Sequence, residues 1–338
     1  MGPAIALLAS SPGVYLGAAL VLGLVIGSFL NVVIYRLPVM LDRQWREQCA
    51  DLVSGDPVPT PAAPGSPGLL VQPDPQVELA FDQPDSGHAH QAPPETAAAP
   101  ARAPFNLLVP RSACPHCKAP IRALHNVPLV SWLFLGGRCA HCRTPIPARY
   151  PLVEALTGIL TAAVAWKFGF GWAAAAAMVL TWFLVALTFI DVDHQLLPDS
   201  LTLPLMWIGL LLGLLELASP ELHFPPDLRS SVIGAIIGYV SLWSVYHLFR
   251  LVTGKEGMGY GDFKLFAALG AWLGWQMLLP VILLAASTGA IVGILTLAVN
   301  GRDRSTPIAF GPFLSVSGWL VLMCSQQVAA VMNWADWP

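Results

Sequence analysis

The sequence predicts an all-α polytopic membrane protein with about eight transmembrane helices and one small cysteine-bearing module in its first loop. Three observations predict it. Of 338 residues, 55% are hydrophobic and 11% charged, where a soluble domain carries about 25% charged residues. Apolar runs of about 18 residues or more, each enough to cross roughly 30 Å of hydrocarbon, recur along most of the chain. Four of the six cysteines fall in two C-x-x-C pairs. A soluble globular enzyme is argued against by the first two. A net charge of −3, with no basic excess along the chain, argues against nucleic acid as a partner.

The spans follow in order. The first covers 12–34, and because the first basic residue is Arg36, after that run, it reads as a retained transmembrane helix rather than a secretory signal. Further spans are predicted at 152–169, 172–190, 200–218, 230–251, 263–276, 278–299 and 310–333. Residues 263–299 make one apolar stretch, too long for a single span of about 20 residues, and it is split at Gly274-Trp275-Gln276 with Pro280 just beyond. With eight spans and an outside N-terminus, 15 of the 17 basic residues lie inside, leaving Lys167 and Arg229 outside. Without the split the inside count falls to 13, so the positive-inside rule favours it. The loops 36–150, 191–199 and 252–262 are separated by two spans each and therefore share one face, the cytoplasmic one.

The chain thus divides into a first transmembrane helix (1–35), a cytoplasmic loop (36–150) and a seven-helix membrane domain (151–338). The loop has two unlike halves. Residues 42–100 hold nine acids against Arg43 and Arg46, with abundant Pro, Ala and Gly. Such a composition cannot bury enough apolar surface to offset the entropy of ordering, and predicts a disordered acidic linker. Residues 101–149 hold seven basic residues, no acid and all four paired cysteines, and predict a small folded module.

Cys114-Pro-His-Cys117 and Cys139-Ala-His-Cys142 are separated by 21 residues. Two such knuckles present four thiolates to one ion, which suits a closed tetrahedral zinc site and a zinc-ribbon-like module. A module this small gains its folding energy from the metal. Two disulfides are the alternative, disfavoured on a cytoplasmic face where thiols stay reduced. His116 and His141 read as exposed, and Cys49 and Cys324 as incidental.

The run Phe189-Ile-Asp-Val-Asp-His-Gln-Leu-Leu-Pro-Asp199 puts three carboxylates at a helix end. A solvated loop would account for them equally well. Asp191 adjoins the membrane, where an ionisable group is costly and more often functional. Asp193 and His194 read as surface residues, and Asp199 as the N-cap of the next helix. Gly254-Lys-Glu-Gly-Met-Gly-Tyr-Gly-Asp262 precedes another span. Glycine at 257, 259 and 261 permits positive φ and close approach of another chain, while the run lacks the Lys-Ser/Thr ending of a phosphate-binding loop. Asp262 alone reads as a simple cap. Span parity, however, puts Asp191 and Asp262 on one face, and two close carboxylates cannot both ionise, so one holds a proton while the other can activate water. Gly234 with Gly238, and Gly289 with Gly293, have the spacing of close helix contacts. Glu154, within the second span, reads as a side chain that snorkels or pairs with Arg149, with a catalytic role as the lesser alternative. Asn31, in the run Gly27-Ser-Phe-Leu-Asn-Val-Val-Ile-Tyr-Arg-Leu-Pro38, is an unusual polar residue near the membrane face to which physics alone assigns no chemistry.

Together these motifs resemble the type IV prepilin peptidases, bifunctional leader peptidases and N-methyltransferases of type IV pilus and type II secretion systems. The resemblance rests on "GSFLNVVIYRLP", "CPHC", "CAHC", "RYPLVE" at 149–154, "IDVDHQLLPD" at 190–199 and "GMGYGDFK" at 257–264. It implies a multi-pass bacterial inner-membrane aspartic endopeptidase, its active site and zinc module facing the cytoplasm. It implies prepilins or pseudopilins as substrates and S-adenosylmethionine as methyl donor for the new N-terminus, in contact with membrane lipid. By resemblance the catalytic pair is Asp191 and Asp262, the active-site loop holds Gly257, Gly259 and Gly261, and structural zinc is held by Cys114, Cys117, Cys139 and Cys142. Two departures stand out: the linker is longer than usual, and Gly136-Gly137-Arg138 has Arg where the family often has Lys. The alternatives are a family member that cleaves without methylating, and a zinc-ribbon membrane transporter using Asp191 and Asp262 as proton or ion sites.

Overall fold

The computed structural model describes residues 3–54, 105–114, 116–120, 128–218, 226–255, 257–300 and 309–332. Among them it contains α1 (Pro3–Ser10), α2 (Pro12–Ser54), α3 (Val130–Phe134), α4 (Arg149–Phe168), α5 (Trp172–His194), α6 (Asp199–Ala218), α7 (Leu228–Thr253), α8 (Tyr260–Leu273), α9 (Leu278–Asn300), α10 (Gly311–Met323) and α11 (Ser325–Val331). The only extended pairings among the described residues are two isolated bridges in the cysteine module.

Each predicted apolar segment is helical, but not all are long enough to span a membrane as one straight helix. Six helices (α2, α4, α5, α6, α7 and α9) are long and apolar enough to span a membrane; α10 and α11 make a seventh if their 86° bend belongs to one span. The predicted break in 263–299 falls at Gly274, whose φ of +79° ends α8, and Pro280 lies in the first turn of α9. α8 has 14 residues, about 21 Å at the usual helical rise and short of the roughly 30 Å hydrocarbon core. It is the centre of the bundle, with eleven buried residues. The first helix also differs from its predicted extent: α2 runs to Ser54, so residues 42–54 are helical, Arg46 pairing with Asp42 one turn back. The rest of the predicted linker lies outside the described residues.

Between lipid-solvated helices, tight packing rather than water exclusion drives association, so small residues mark the contacts. Gly209 of α6 faces Trp272, whose Nε1 donates to the Leu205 carbonyl at 2.7 Å, and Gly318 of α10 faces Leu269. Gly234 and Gly238 of α7 lie against the Gly270 and Phe266 carbonyls, which bears out the spacing read from sequence. A methyl group on Gly234 would overlap backbone. Gly234→Val is therefore expected to lower stability by about 3 kcal/mol by overpacking, read as a fall in thermal unfolding temperature in micelles. Gly17→Ala, with open space around it, is the control, and equal melting of the two variants would refute this account of the α7–α8 contact.

The residues of the first motif have structural work. Gly27 lets α2 touch the Glu154 backbone of α4, and Asn31 Nδ2 donates to the Tyr150 carbonyl at 3.1 Å. Arg36, buried, donates to the carbonyls of Asn106 (2.9 Å), Leu107 (3.3 Å) and Pro110 (2.6 Å). A buried guanidinium with this many acceptors ties the start of the cysteine module to α2.

Candidate active site

The end of the bundle where α5 finishes and α6, α8 and α10 begin gathers the acidic motifs. Asp191 lies in the last turn of α5, its carbonyl accepting from Gln195, which closes the helix in the left-handed conformation. Its side chain is 5% exposed, and its Oδ2 accepts the Gly311 backbone N–H at 3.0 Å. Gly311 is the first residue of α10, so this carboxylate sits on the positive end of that helix. Asp262 lies in the first turn of α8 and is 7% exposed. Its Oδ1 is buried without a hydrogen-bond partner among the described residues, and the charge of Asp191 acts on it directly. No other acidic residue among the described residues is buried.

Leu197 joins the two halves. Its side chain packs into the space left by the missing Cβ of Gly261 on one side and of Gly311 on the other. Glycine is needed in this loop for approach rather than for backbone sign. Positive φ belongs to Gly254, whereas Gly257 accommodates the Phe249 ring, Gly261 accommodates Leu197, and Gly259 is an extended N-cap at φ −79°. This corrects the positive-φ reading of 257, 259 and 261.

The neighbouring acids have other partners. Asp193 forms a two-pronged ion pair with Arg149 of α4, whose guanidinium also lies over the Phe189 ring. Asp199 is the first residue inside α6 rather than its cap, and its two oxygens accept Lys264 Nζ of α8 at 2.6 and 2.7 Å. Each buried aspartate thus has an inter-helix ion pair two residues further along its chain. Glu154 does not pair with Arg149; its Oε2 accepts the Leu129 N–H at 2.9 Å. Gly311 and Leu197 are site residues that the sequence reading missed. The pair Gly311-Pro312 signals a helix start, but nothing local aims that start at Asp191.

The four paired cysteines converge, their sulfurs all within 4.8 Å of one another. The two knuckles have the same local fold. Lys118 and Arg143 take positive φ, and their N–H groups return to the Cys114 and Cys139 carbonyls at 2.9 and 3.0 Å. Cys114 and Cys142 sulfurs are 3.8 Å apart, matching the edge of a tetrahedron with metal–sulfur bonds of about 2.3 Å. The Thr144 hydroxyl beside Cys142 lowers the pKa of its thiol, which favours the thiolate that a metal takes as ligand. All four are free thiols, and the donor set fits a metal ion. Two apolar cavities do not fit S-adenosylmethionine. The larger, about 230 Å³, is walled by apolar and aromatic side chains from Trp172 to Trp272, and the second, about 130 Å³, lies by Tyr15 and Phe170. Neither offers a charged group to a zwitterion.

Residues 21–168 match the Bacterial Peptidase A24 N-terminal domain, and residues 178–294 match the Type IV leader peptidase family. Among curated proteins, the chain is 46% identical to a prepilin leader peptidase/N-methyltransferase of Stutzerimonas stutzeri, covering 96% of this chain and 95% of that protein. It is 46% identical to the one from Aeromonas hydrophila (94% and 93% covered) and 43% to that of Pseudomonas aeruginosa (96% and 96%). No solved structure gives a significant match. With both halves of the membrane chain matched and relatives aligned nearly end to end, the chain belongs to the type IV leader peptidase family.

Proposed function

We propose that this multi-pass protein is a bifunctional enzyme of the bacterial inner membrane that removes the leader from type IV prepilins or pseudopilins at the cytoplasmic face and N-methylates the new terminus. The observation that carries the peptidase reading is the pair of buried carboxylates, Asp191 and Asp262, held by one leucine and the α10 N-terminus at the end of the bundle. The methylating activity is carried over from the names of the relatives.

The two carboxylates divide the work by their surroundings. Asp191, satisfied by an N–H at a helix start, keeps its charge and takes a proton from the attacking water. Asp262, whose Oδ1 has no donor to accept from, holds the shared proton and presents it to the scissile carbonyl as the oxyanion develops. Water adds to that carbonyl, the proton returns to the leaving amine, and no covalent intermediate forms. Incubating the purified protein with a prepilin and S-adenosylmethionine and weighing the product N-terminus tests the whole reading. A leader-free, methylated product is expected; cleavage without methylation removes the second activity, and an untouched prepilin removes both.

The four-cysteine cluster is proposed to hold structural zinc, with residues 101–149 as its module, 55–100 as a linker and 151–338 as the catalytic membrane domain. Cys114→Ser is expected to lower bound zinc from about one equivalent to less than half and to expose the module to proteolysis while the spans stay inserted. Wild-type protein purified without tightly bound zinc would refute the metal assignment. Deleting residues 56–100 is expected to leave cleavage largely intact, since their composition offers little to bury. A correctly inserted but inactive deletion protein would overturn that.

A further inference from the structure

α3 stands between the two cysteine knuckles, and its polarity is inverted for a helix in a small module. Val130, Leu133 and Phe134 are spaced to share one face and are 46%, 69% and 88% exposed. Trp132 turns the other way, against Gly137, with its Nε1 donating to the Ile146 carbonyl at 3.4 Å. The module therefore has its own aromatic anchor and leaves a second apolar face outward.

The depth of that face is set by Glu154. Its carboxylate accepts the N–H of Leu129, the residue that caps α3. Glu154 is the sixth residue of α4, one of the helices able to cross the membrane, and so lies about 7.5 Å along the axis from Arg149. The start of α3 is thus held level with the first turns of a helix long and apolar enough to span the membrane. The module's own charge has one sign. Arg111, Lys118, Arg138 and Arg143 are all exposed, and residues 101–149 contain no acid.

We propose that α3 is an interfacial anchor: Val130, Leu133 and Phe134 insert into the bilayer surface, and anionic lipid headgroups neutralise the four exposed basic side chains of the same module. Apolar insertion and headgroup attraction reinforce each other in such segments. The anchor holds the cysteine module flat against the membrane, at the end of α4 whose Arg149 is tied to Asp193 beside the buried carboxylates. A basic module with no acid of its own, fixed at the first turns of α4, favours an anionic bilayer surface as what covers Phe134.

The test places the photo-crosslinking residue p-benzoylphenylalanine at position 134 of the full-length chain, and separately at the exposed Gln44 on the polar end of α2. Both proteins are reconstituted in vesicles of phosphatidylethanolamine and phosphatidylglycerol, irradiated and analysed by mass spectrometry. Lipid adducts several-fold more abundant at 134 than at 44 are expected. Adducts joining 134 to another part of this chain or to a second copy, or a lipid yield no higher than at 44, would overturn the proposal. The readout does not use activity, so it stands apart from the peptidase reading.

Discussion

Asp262→Asn is expected to lower prepilin cleavage by about 10³-fold or more while the protein remains folded and inserted. The buried amide cannot deliver a proton to the carbonyl as charge develops. Asp191→Asn is expected to be as damaging for the opposite reason: an amide on the Gly311 N–H cannot accept a proton from water. Neither change is expected to affect methylation of a pilin that has already lost its leader, a reaction that hydrolyses no peptide bond. Asp193→Asn and Asp199→Asn are the controls. Each loses an ion pair with a partly exposed partner, Arg149 or Lys264, and such pairs contribute about 0–1 kcal/mol. They are expected to slow cleavage less than tenfold by roughly that argument. A folded Asp262→Asn protein cutting at the wild-type rate would sink the dyad and return the aspartates to the role of ion sites.

Gly311→Ala should have the next largest effect, although its residue takes part in no proton transfer. A Cβ built there lies 2.5 Å from Asp191 Oδ2 and 3.1 Å from Leu197 Cδ1. The carboxylate must swing off the α10 N-terminus, losing a charge-assisted hydrogen bond worth about 1.5–3 kcal/mol and its alignment with Asp262. A fall in kcat of about 10²-fold follows if this N–H orients the base as a preorganised donor does, with KM for the prepilin little changed. Gly289→Ala is the matched control, since its Cβ would meet the Phe313 ring at an ordinary 3.4 Å. Equal cleavage rates for the two variants would show that the α10 N-terminus does not position Asp191.

Much of this site was visible in one dimension because its features are local. A helix must satisfy its backbone within one run of sequence when lipid surrounds it. The apolar runs, the break at Gly274 and the close-packing glycines at 234 and 238 could therefore be read directly. The knuckles are local too: each C-x-x-C closes on itself through Lys118 or Arg143, and the type of residue dictates the ligand chemistry. Asp199 shows where that logic stops. By sequence it is an ordinary N-cap, but capping competes with any cation that the fold brings near, and Lys264 arrives from a helix 65 positions later.

What the sequence alone determined is therefore the helical membrane class, the order of the helices, the pairing of the cysteines and the candidacy of Asp191 and Asp262, which adjoin apolar runs where a bare charge is costly. What only the tertiary structure decided is how those residues are held. α8 proves to be a short central helix rather than a span facing lipid, because four neighbours enclose it. Arg36 proves to tie down the cysteine module, through carbonyls some 70 residues away. Asp191 proves to rest on Gly311, 120 residues further on. Backbone N–H and C=O groups are the same at every residue, so sequence carries no sign of which will point at a given side chain. Packing selects the partner, and the chain has to fold before the choice exists.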